Sequence, residues 1–157
     1  MAKPKLDKID NKILKRLQEN GKMTNLQLSE EIGLSPAPTL ERVRKLEHSG
    51  IITGYHAYVD SVLLGMGIKA YIQLSLERQA ENSLSIFIER VQRIEEIVEC
   101  HMVTGTCDFI LKAVIKDIPA FENLITNKLG KIDEIRNMQT MVILSQIKQG
   151  AVTPADN

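Results

Sequence analysis

The chain has 157 residues, enough for one large domain or two small ones, and its 43% hydrophobic content can form a packed core. Twenty Lys and Arg residues balance twenty Asp and Glu residues, so a nucleic-acid partner has to be argued from the local placement of charge. No apolar run approaches the ~18 residues of a membrane span, and two cysteines give no disulfide framework, so we expect a cytoplasmic protein with no membrane partner.

Two helical patterns open the chain. Apolar residues at every fourth position predict an amphipathic helix over residues 7–19, with Asp7 able to cap its start. The pair Thr24 and Gln27 is typical of a capping box, in which each residue bonds the backbone amide of the other. This pattern predicts a second, short helix, and Gly33 should end it.

A third helix is predicted to begin after Ser35, although two prolines follow this residue closely. With Ser35 as the N-cap, Pro36 falls at the first helical position and Pro38 at the third. Both are tolerated there because the amides of the first turn have no acceptor within the helix. A helical wheel predicts a buried side of Leu40, Val43 and Leu46. It places Pro38, Glu41, Arg42 and Lys45 on the opposite side, with Arg44 and His48 on its flank.

These three helices, with a tight turn between the last two, predict a helix-turn-helix unit over residues 1–59. Residues 51–59 predict a strand or short hairpin, which would form a small wing. Two functions are open for this unit. The acidic residues interleaved with the basic ones favour a protein-interaction domain with a solvated charged face. The tight turn, the proline-stiffened helix and the wing favour DNA binding. On the DNA interpretation, the expected contact residues are Thr24, Ser35, Pro36, Ala37, Thr39, Arg42, Arg44 and Lys45.

The pattern changes beyond a predicted linker at residues 60–67. Residues 68–150 read as a β-α-β-β-α-β order, the ferredoxin-like layout, so the predicted fold class is α+β. The strands are predicted at 68–76, 97–104, 108–116 and within 134–147, and the helices at 81–95 and 118–129. Residues 151–157 are predicted to be a loose tail.

The turn between the second and third of these strands carries a polar cluster. It is either an ordinary β-turn or a small-molecule site, in which amides and hydroxyls bind a carboxylate and Asp108 binds an amine. The residues alone leave both interpretations open. The candidate ligand-binding residues are Met102, Val103, Thr104, Gly105, Thr106 and Asp108.

Catalytic and metal chemistry find little support in the sequence. Cys100 and His101 are adjacent in a predicted strand, so their side chains should point to opposite faces and not converge on a metal. Cys107 has no activating base placed for it. We therefore predict no enzyme activity, no metal and no cofactor, while a metal-sensing repressor remains an alternative.

Three stretches, residues 6–57, 94–112 and 138–149, together resemble the Lrp/AsnC transcription regulators, also called feast/famine regulatory proteins. The most specific motifs are LSPAPTLERVRKLEHSGII and ECHMVTGTCDFILK, and the chain is more similar to the leucine-responsive branch than to the asparagine-specific branch. Two positions depart from the family pattern. Thr39 stands where a cysteine is common, and Cys107 stands where a hydrophobic or aromatic residue is frequent, which leaves effector selectivity open.

The resemblance implies a winged helix-turn-helix domain followed by a ferredoxin-like effector and oligomerisation domain, the RAM domain. It further implies a homodimer whose sheets pair, assembly to octamers or other higher oligomers, a bent double-stranded DNA operator, and nucleoid association. An amino-acid effector would bind between subunits, and the soft side chain of Met102 favours leucine or methionine. A DNA-wrapping architectural protein without an effector is the alternative.

Overall fold

A computed structural model describes residues 5–77, 83–148 and 150 of the chain. Of these, residues 5–58 with 148 and 150 form one compact unit, and residues 59–77 with 83–147 form the other. The predicted linker, residues 60–67, thus belongs to the second unit, where residues 61–65 form a turn. The predicted tail, residues 151–157, lies outside the described residues.

The first unit consists of three helices around a small apolar core. The helices are α1 (Lys8–Glu19), α2 (Asn25–Ile32) and α3 (Pro36–His48). The residues buried between them are Ile13, Leu14, Leu28, Ile32 and Leu46. The predicted apolar stripe of α1 is confirmed, since Ile13 is fully buried and Ile9 and Leu17 pack against this core.

Both predicted caps are present. The Asp7 carboxylate accepts from the Asp10 amide at 2.8 Å, and the Asp7 amide donates to the Asp10 carboxylate at 3.1 Å, which is a capping box. At the start of α2, the Gln27 amide donates to Thr24 Oγ1 at 3.2 Å and the Thr24 amide donates to Gln27 Oε1 at 2.9 Å. Gly33 ends α2 with a φ of 81°, in the left-handed region that glycine enters without strain.

The structure has no strand or hairpin at residues 51–59, so this prediction is wrong. Ile51 and Ile52 pack against the core of the first unit, and both of their amides donate to the Leu46 carbonyl at 3.1 Å. Residues 53–60 carry no helix or strand hydrogen bonding. An alternating apolar pattern forms a strand only when a neighbouring strand supplies the ladder, and the described residues offer this segment none.

The second unit is a four-stranded antiparallel sheet, and the predicted ferredoxin-like order is confirmed. Its elements are β1 (Ile68–Leu76), α4 (Ser83–Gln92), β2 (Ile97–Met102), β3 (Phe109–Ile115), α5 (Ile118–Asn123) and β4 (Ile135–Val142). After α5 the chain continues as a π turn, Leu124–Lys128, and a 3-10 turn, Leu129–Lys131. The strand order is β2-β3-β1-β4, with β2 and β4 at the edges.

The helices cover one face of this sheet. Alternate residues of β1 and β3 are buried beneath them, and Phe87 of α4 packs on Phe109 of β3 with ring centroids 4.6 Å apart. The opposite face carries the side chains of the intervening positions, where Tyr71 of β1 pairs with Lys112 of β3, and Lys112 pairs with Glu99 of β2. This second face of the sheet is not covered by a helix in the described chain.

An ion pair joins the π turn after α5 to the residue preceding β2. Lys128 Nζ donates to both carboxylate oxygens of Glu96, at 2.6 and 2.8 Å, and this hydrogen bonding lowers the pKa of the Glu96 carboxyl. A carboxyl whose pKa is lowered on folding stabilises the folded state above its unfolded pKa of about 4.3. That stabilisation is lost as the pH falls through the lower, folded value.

We expect Glu96→Gln to lower the melting temperature at pH 7, because the amide keeps an acceptor for Lys128 but loses the charge. The difference from the parent protein should shrink as the pH falls from 7 to below the unfolded pKa of about 4.3, because the parent carboxyl becomes neutral as well once the pH passes its lowered, folded pKa. Thermal unfolding of both proteins across this range measures the effect, with the exposed Glu122→Gln as the control. A difference independent of pH would show that shape, not charge, accounts for the contribution of Glu96.

Candidate nucleic-acid interface and ligand site

The starts of α2 and α3 are held together by one hydrogen bond. Asn25 Nδ2, at the first position of α2, donates to the Pro36 carbonyl at the first position of α3, over 2.8 Å. The two N-cap residues, Thr24 and Ser35, each directly precede one of these two bonded residues. This bond was not predictable from the sequence, because it joins residues 11 positions apart and no local pattern marks Asn25 as its donor.

At the front of α3, which the prolines stiffen, the Ser35 side chain does not cap the helix. Ser35 occupies the N-cap position with extended backbone, as predicted, but its hydroxyl makes no capping hydrogen bond. A capping side chain normally accepts from the second or third helical amide, and Pro38 at the third position has none. Ser35, Pro36 and Ala37 are all exposed, so this front presents a rigid surface with an available hydroxyl.

The buried side of α3 differs from the wheel prediction at two residues. Thr39 is fully buried and its hydroxyl donates to the Ser35 carbonyl at 2.9 Å, so the prediction that Thr39 contacts DNA is corrected. Leu40, predicted to be buried, is 38% exposed. The inward stripe runs through Thr39, Val43 and Leu46, which lie four and three residues apart on one helix face.

Arg42 also lies on this inward side and not on the predicted exposed side. Its Nη1 atom donates to Asp7 Oδ2 at 2.6 Å and to Asp10 Oδ1 at 2.8 Å, and its side chain is 32% exposed. The hydrogen bond from the Asp10 amide, followed by that from Arg42, lowers the pKa of the Asp7 carboxyl. A guanidinium held by two carboxylates is poorly suited to bind a phosphate, so we leave Arg42 out of the candidate interface.

The exposed positive charge of α3 comes from Arg44 and Lys45. Both side chains are exposed and, among the described residues, neither is ion-paired. The neighbouring Glu47 accepts a 2.9 Å hydrogen bond from the Tyr55 hydroxyl. Partial burial, together with this bond to Glu47, raises the pKa of Tyr55 to about 12, so the phenol remains a donor at neutral pH. On α3, the exposed cationic side chains suited to bind phosphate are therefore Arg44 and Lys45.

The loop between β2 and β3 has the polar surface that the sequence predicted. Met102 is 65% exposed, and Thr104, Gly105 and Thr106 are exposed as well. Gly105 has a φ of 128°, and no residue other than its two chain neighbours has an atom within 4 Å of the place where a Cβ would stand. Both facts allow a ligand to approach the backbone closely at this glycine.

Asp108 has a structural role, and its hydrogen-bonding partners lie far from it in the sequence. Its Oδ2 atom accepts from the Leu76 amide at 2.9 Å, and its own amide donates to the Leu74 carbonyl at 2.8 Å. The carboxylate thus ties the end of the loop to the end of β1. Any ligand that uses the charge of Asp108 has to do so beside an existing backbone hydrogen bond.

The two cysteines and the single histidine of the second unit do not converge. Cys100 pairs with Leu111 and His101 with Ile110, so the two adjacent side chains lie on opposite faces of β2, as predicted. His101 contacts the Glu99 carboxylate at 3.2 Å, on the face that carries Lys112. In residues 5–77, 83–148 and 150, no three metal-binding side chains are grouped as a metal site would need. None of the helices described there is long and apolar enough to cross a membrane.

Two family models match the two units. Residues 6–53 match a model described as winged helix-turn-helix DNA-binding, and residues 69–153 match one described as the Lrp/AsnC ligand binding domain. The leucine-responsive regulatory proteins of Escherichia coli K12 and Klebsiella pneumoniae are each 38% identical to the chain over 144 residues. These alignments cover 92% of the chain and 88% of each relative.

Two solved structures match the chain along nearly its whole length. A transcriptional regulator from Neisseria meningitidis, crystallised as a complex with L-Met, superposes with a TM-score of 0.91 at 35% identity, covering 96% of this chain and 97% of that one. The AsnC protein of Escherichia coli superposes with a TM-score of 0.86 at 27% identity, covering 96% and 99%. The Neisseria protein is a transcriptional regulator, and its structure holds an amino acid, L-Met.

Proposed function

Because the chain belongs to the Lrp/AsnC family of transcriptional regulators, we propose that it binds an operator through its first unit and an amino-acid effector through its second. The effector would change the assembly of the protein or its affinity for DNA. The observation that carries this proposal is that one family model matches each unit, at residues 6–53 and 69–153, while the alignment with a leucine-responsive regulatory protein covers 92% of the chain. On this proposal the protein acts in the cytoplasm, associated with the nucleoid, and is not an enzyme.

The proposed DNA interface is the surface where α2 and α3 begin, together with the exposed basic side of α3. The front of α3 would enter the major groove, where its first residues meet base edges while Arg44 and Lys45 neutralise phosphates. The Asn25–Pro36 hydrogen bond supports this placement because it keeps the two helix starts together. The residues that we assign to this interface are Thr24, Ser35, Pro36, Ala37, Arg44 and Lys45.

The proposed effector site is the loop from Met102 to Asp108. The exposed loop amides and threonine hydroxyls suit an α-carboxylate, and the Asp108 carboxylate suits an α-ammonium. Met102 offers a polarisable wall that adapts to an apolar side chain, and Val103 adjoins it. We favour methionine or leucine as the effector, because the relatives include a complex with L-Met and several leucine-responsive proteins.

The proposed assembly is a homodimer that forms octamers or other higher oligomers, with the effector bound between subunits. It is supported by large apolar side chains that are exposed near β4, where Leu144 and Ile147 are each more than 90% exposed. An effector shared between subunits shifts assembly only by its differential affinity for the assembled and dissociated states. An architectural protein that wraps DNA without an effector would assemble similarly but would bind no amino acid.

We expect the DNA selected by this protein to be two-fold symmetric. A dimer presents two copies of α3, so half-sites should lie about one helical turn, roughly 10 base pairs, or a multiple of this distance apart. Selection from a random-sequence library, followed by footprinting on the most enriched duplex, measures the spacing. A short asymmetric footprint made by a monomer would contradict the proposal, whereas a footprint longer than one dimer would indicate assembly along the DNA.

A further inference from the structure

Asp7 and Asp10, at the start of α1, each use one carboxylate oxygen to cap the helix and the other to bind Arg42. Asp7 Oδ1 accepts from the Ile9 and Asp10 amides at 2.8 Å each, and Asp10 Oδ2 accepts from the Asp7 amide at 3.1 Å. The other oxygens, Asp7 Oδ2 and Asp10 Oδ1, accept from Arg42 Nη1 at 2.6 and 2.8 Å. One nitrogen atom of Arg42 therefore joins the capping box of α1 to the middle of α3.

The surroundings of this junction favour a role inside the unit. Arg42 lies between Thr39 and Leu46 along the inward side of α3, and the Asp10 side chain is only 11% exposed. Two carboxylates facing one guanidinium leave the cluster negative, so it repels phosphate. Charge-assisted hydrogen bonds have defined directions, whereas the apolar contacts between α1 and α3 do not. The junction is thus the part of this helix contact that can fix an orientation.

We propose that Arg42 is a positioning residue, which sets the orientation of α3 against α1 and thereby the sequence specificity, without touching DNA. This inference rests on the proposed DNA-binding function. It predicts that the loss of Arg42 reduces discrimination between DNA sequences more than it reduces affinity for DNA in general. A phosphate contact would behave in the opposite way, because it strengthens binding to every sequence alike.

The first test compares Arg42→Ala with Asp7→Ala. Affinities are measured for the duplex most enriched from a random library and for a scrambled duplex of the same composition. If Arg42 positions α3 through Asp7, both variants should lower the ratio of the two affinities by roughly tenfold, the size of one lost base contact. If charge alone matters, Asp7→Ala should strengthen binding to both duplexes and Arg42→Ala should weaken it, which would overturn the inference.

The salt dependence gives a second, independent measurement. The slope of log affinity against log salt for the scrambled duplex should be unchanged in Arg42→Ala, since no phosphate contact is lost. It should fall by about 0.9 per lost contact in Arg44→Ala. An Arg42→Ala slope reduced like that of Arg44→Ala would overturn the inference. An unchanged slope in Arg44→Ala would instead contradict the proposed DNA interface, so the two failures are distinguishable.

Arg42→Lys keeps the inference testable if Arg42→Ala does not fold. Lysine retains the positive charge and binds phosphate as a point charge, but its nitrogen lies one bond nearer the backbone than Arg42 Nη1, so it should not bond both carboxylates in the same geometry. We expect Arg42→Lys to lose sequence discrimination by several-fold while keeping its affinity for the scrambled duplex. Circular dichroism and thermal unfolding establish that the variant is folded. Full discrimination in folded Arg42→Lys would overturn the inference.

Discussion

The double substitution Arg44→Ala with Lys45→Ala is expected to weaken DNA binding by roughly tenfold per lost phosphate contact at about 0.1 M salt. A cationic side chain that binds a phosphate releases the counterions held there by the DNA. Each such contact therefore adds about 0.9 to the slope of log affinity against log salt. Both side chains are exposed, and no described residue is ion-paired with them, so their removal leaves no buried charge behind. Fluorescence anisotropy on the selected and scrambled duplexes, at several salt concentrations, measures both the affinity and the slope.

The control for this variant changes the net charge by the same amount elsewhere. Lys116 and Arg136 are exposed in the second unit, outside the proposed DNA interface, and the double substitution Lys116→Ala with Arg136→Ala should leave the slope nearly unchanged. Equal losses in the two double variants would show that binding follows total charge. In that case α3 would not be the element that holds DNA.

The substitution Asp108→Asn is expected to weaken binding of L-methionine or L-leucine by at least tenfold. A hydrogen bond to a charged group contributes about 1.5–3 kcal/mol, and asparagine removes the charge that would pair with the α-ammonium. Asparagine is preferable to alanine here, because its side-chain oxygen can still accept from the Leu76 amide. The end of β1 should therefore remain attached to the loop, and the loss would report on the ligand and not on the sheet.

Calorimetry with both amino acids on the parent protein and the variant measures this effect. Asp133→Asn is the control, since this exposed aspartate lies in the turn before β4 and outside the candidate loop. DNA binding by the unliganded Asp108→Asn protein should stay within about twofold of the parent. Unchanged ligand affinity in the variant would remove Asp108 from the site. A parent protein that binds no amino acid would favour the architectural alternative.

Local patterns predicted the elements whose stabilising contacts lie close together in the chain. The capping boxes of α1 and α2 join residues three positions apart, so Asp7, Thr24 and Gln27 could be assigned roles from the sequence. The strands of the second unit were predictable because β3 alternates between buried and partly buried positions throughout, and β1 alternates between buried and more exposed positions over most of its length. The loop at Gly105 was predictable as a polar turn between two apolar strands.

Contacts between distant residues could not be predicted in this way. A helical wheel placed Arg42 on the exposed side of α3, but its long side chain reaches Asp7, 35 positions earlier in the chain. Asp108 contacts the Leu76 amide, 32 positions earlier. The segment at 51–59 has the alternation of a strand, yet strand formation depends on a neighbour that its own residues do not encode. Each of these outcomes depends on tertiary structure, which local periodicity does not determine.

The two prolines at the front of α3 also affect the entropy of DNA recognition. Proline restricts the unfolded chain, so Pro36 and Pro38 reduce the conformational freedom that the helix front loses when the protein folds. On the proposed function, this segment is already ordered before DNA arrives, and binding then immobilises little additional backbone. The Ser35 hydroxyl, released from capping by Pro38, is held at the edge of a preorganised surface. Recognition at this point would therefore depend on the fit of a rigid protein edge to the groove, and adaptation would have to come from the DNA.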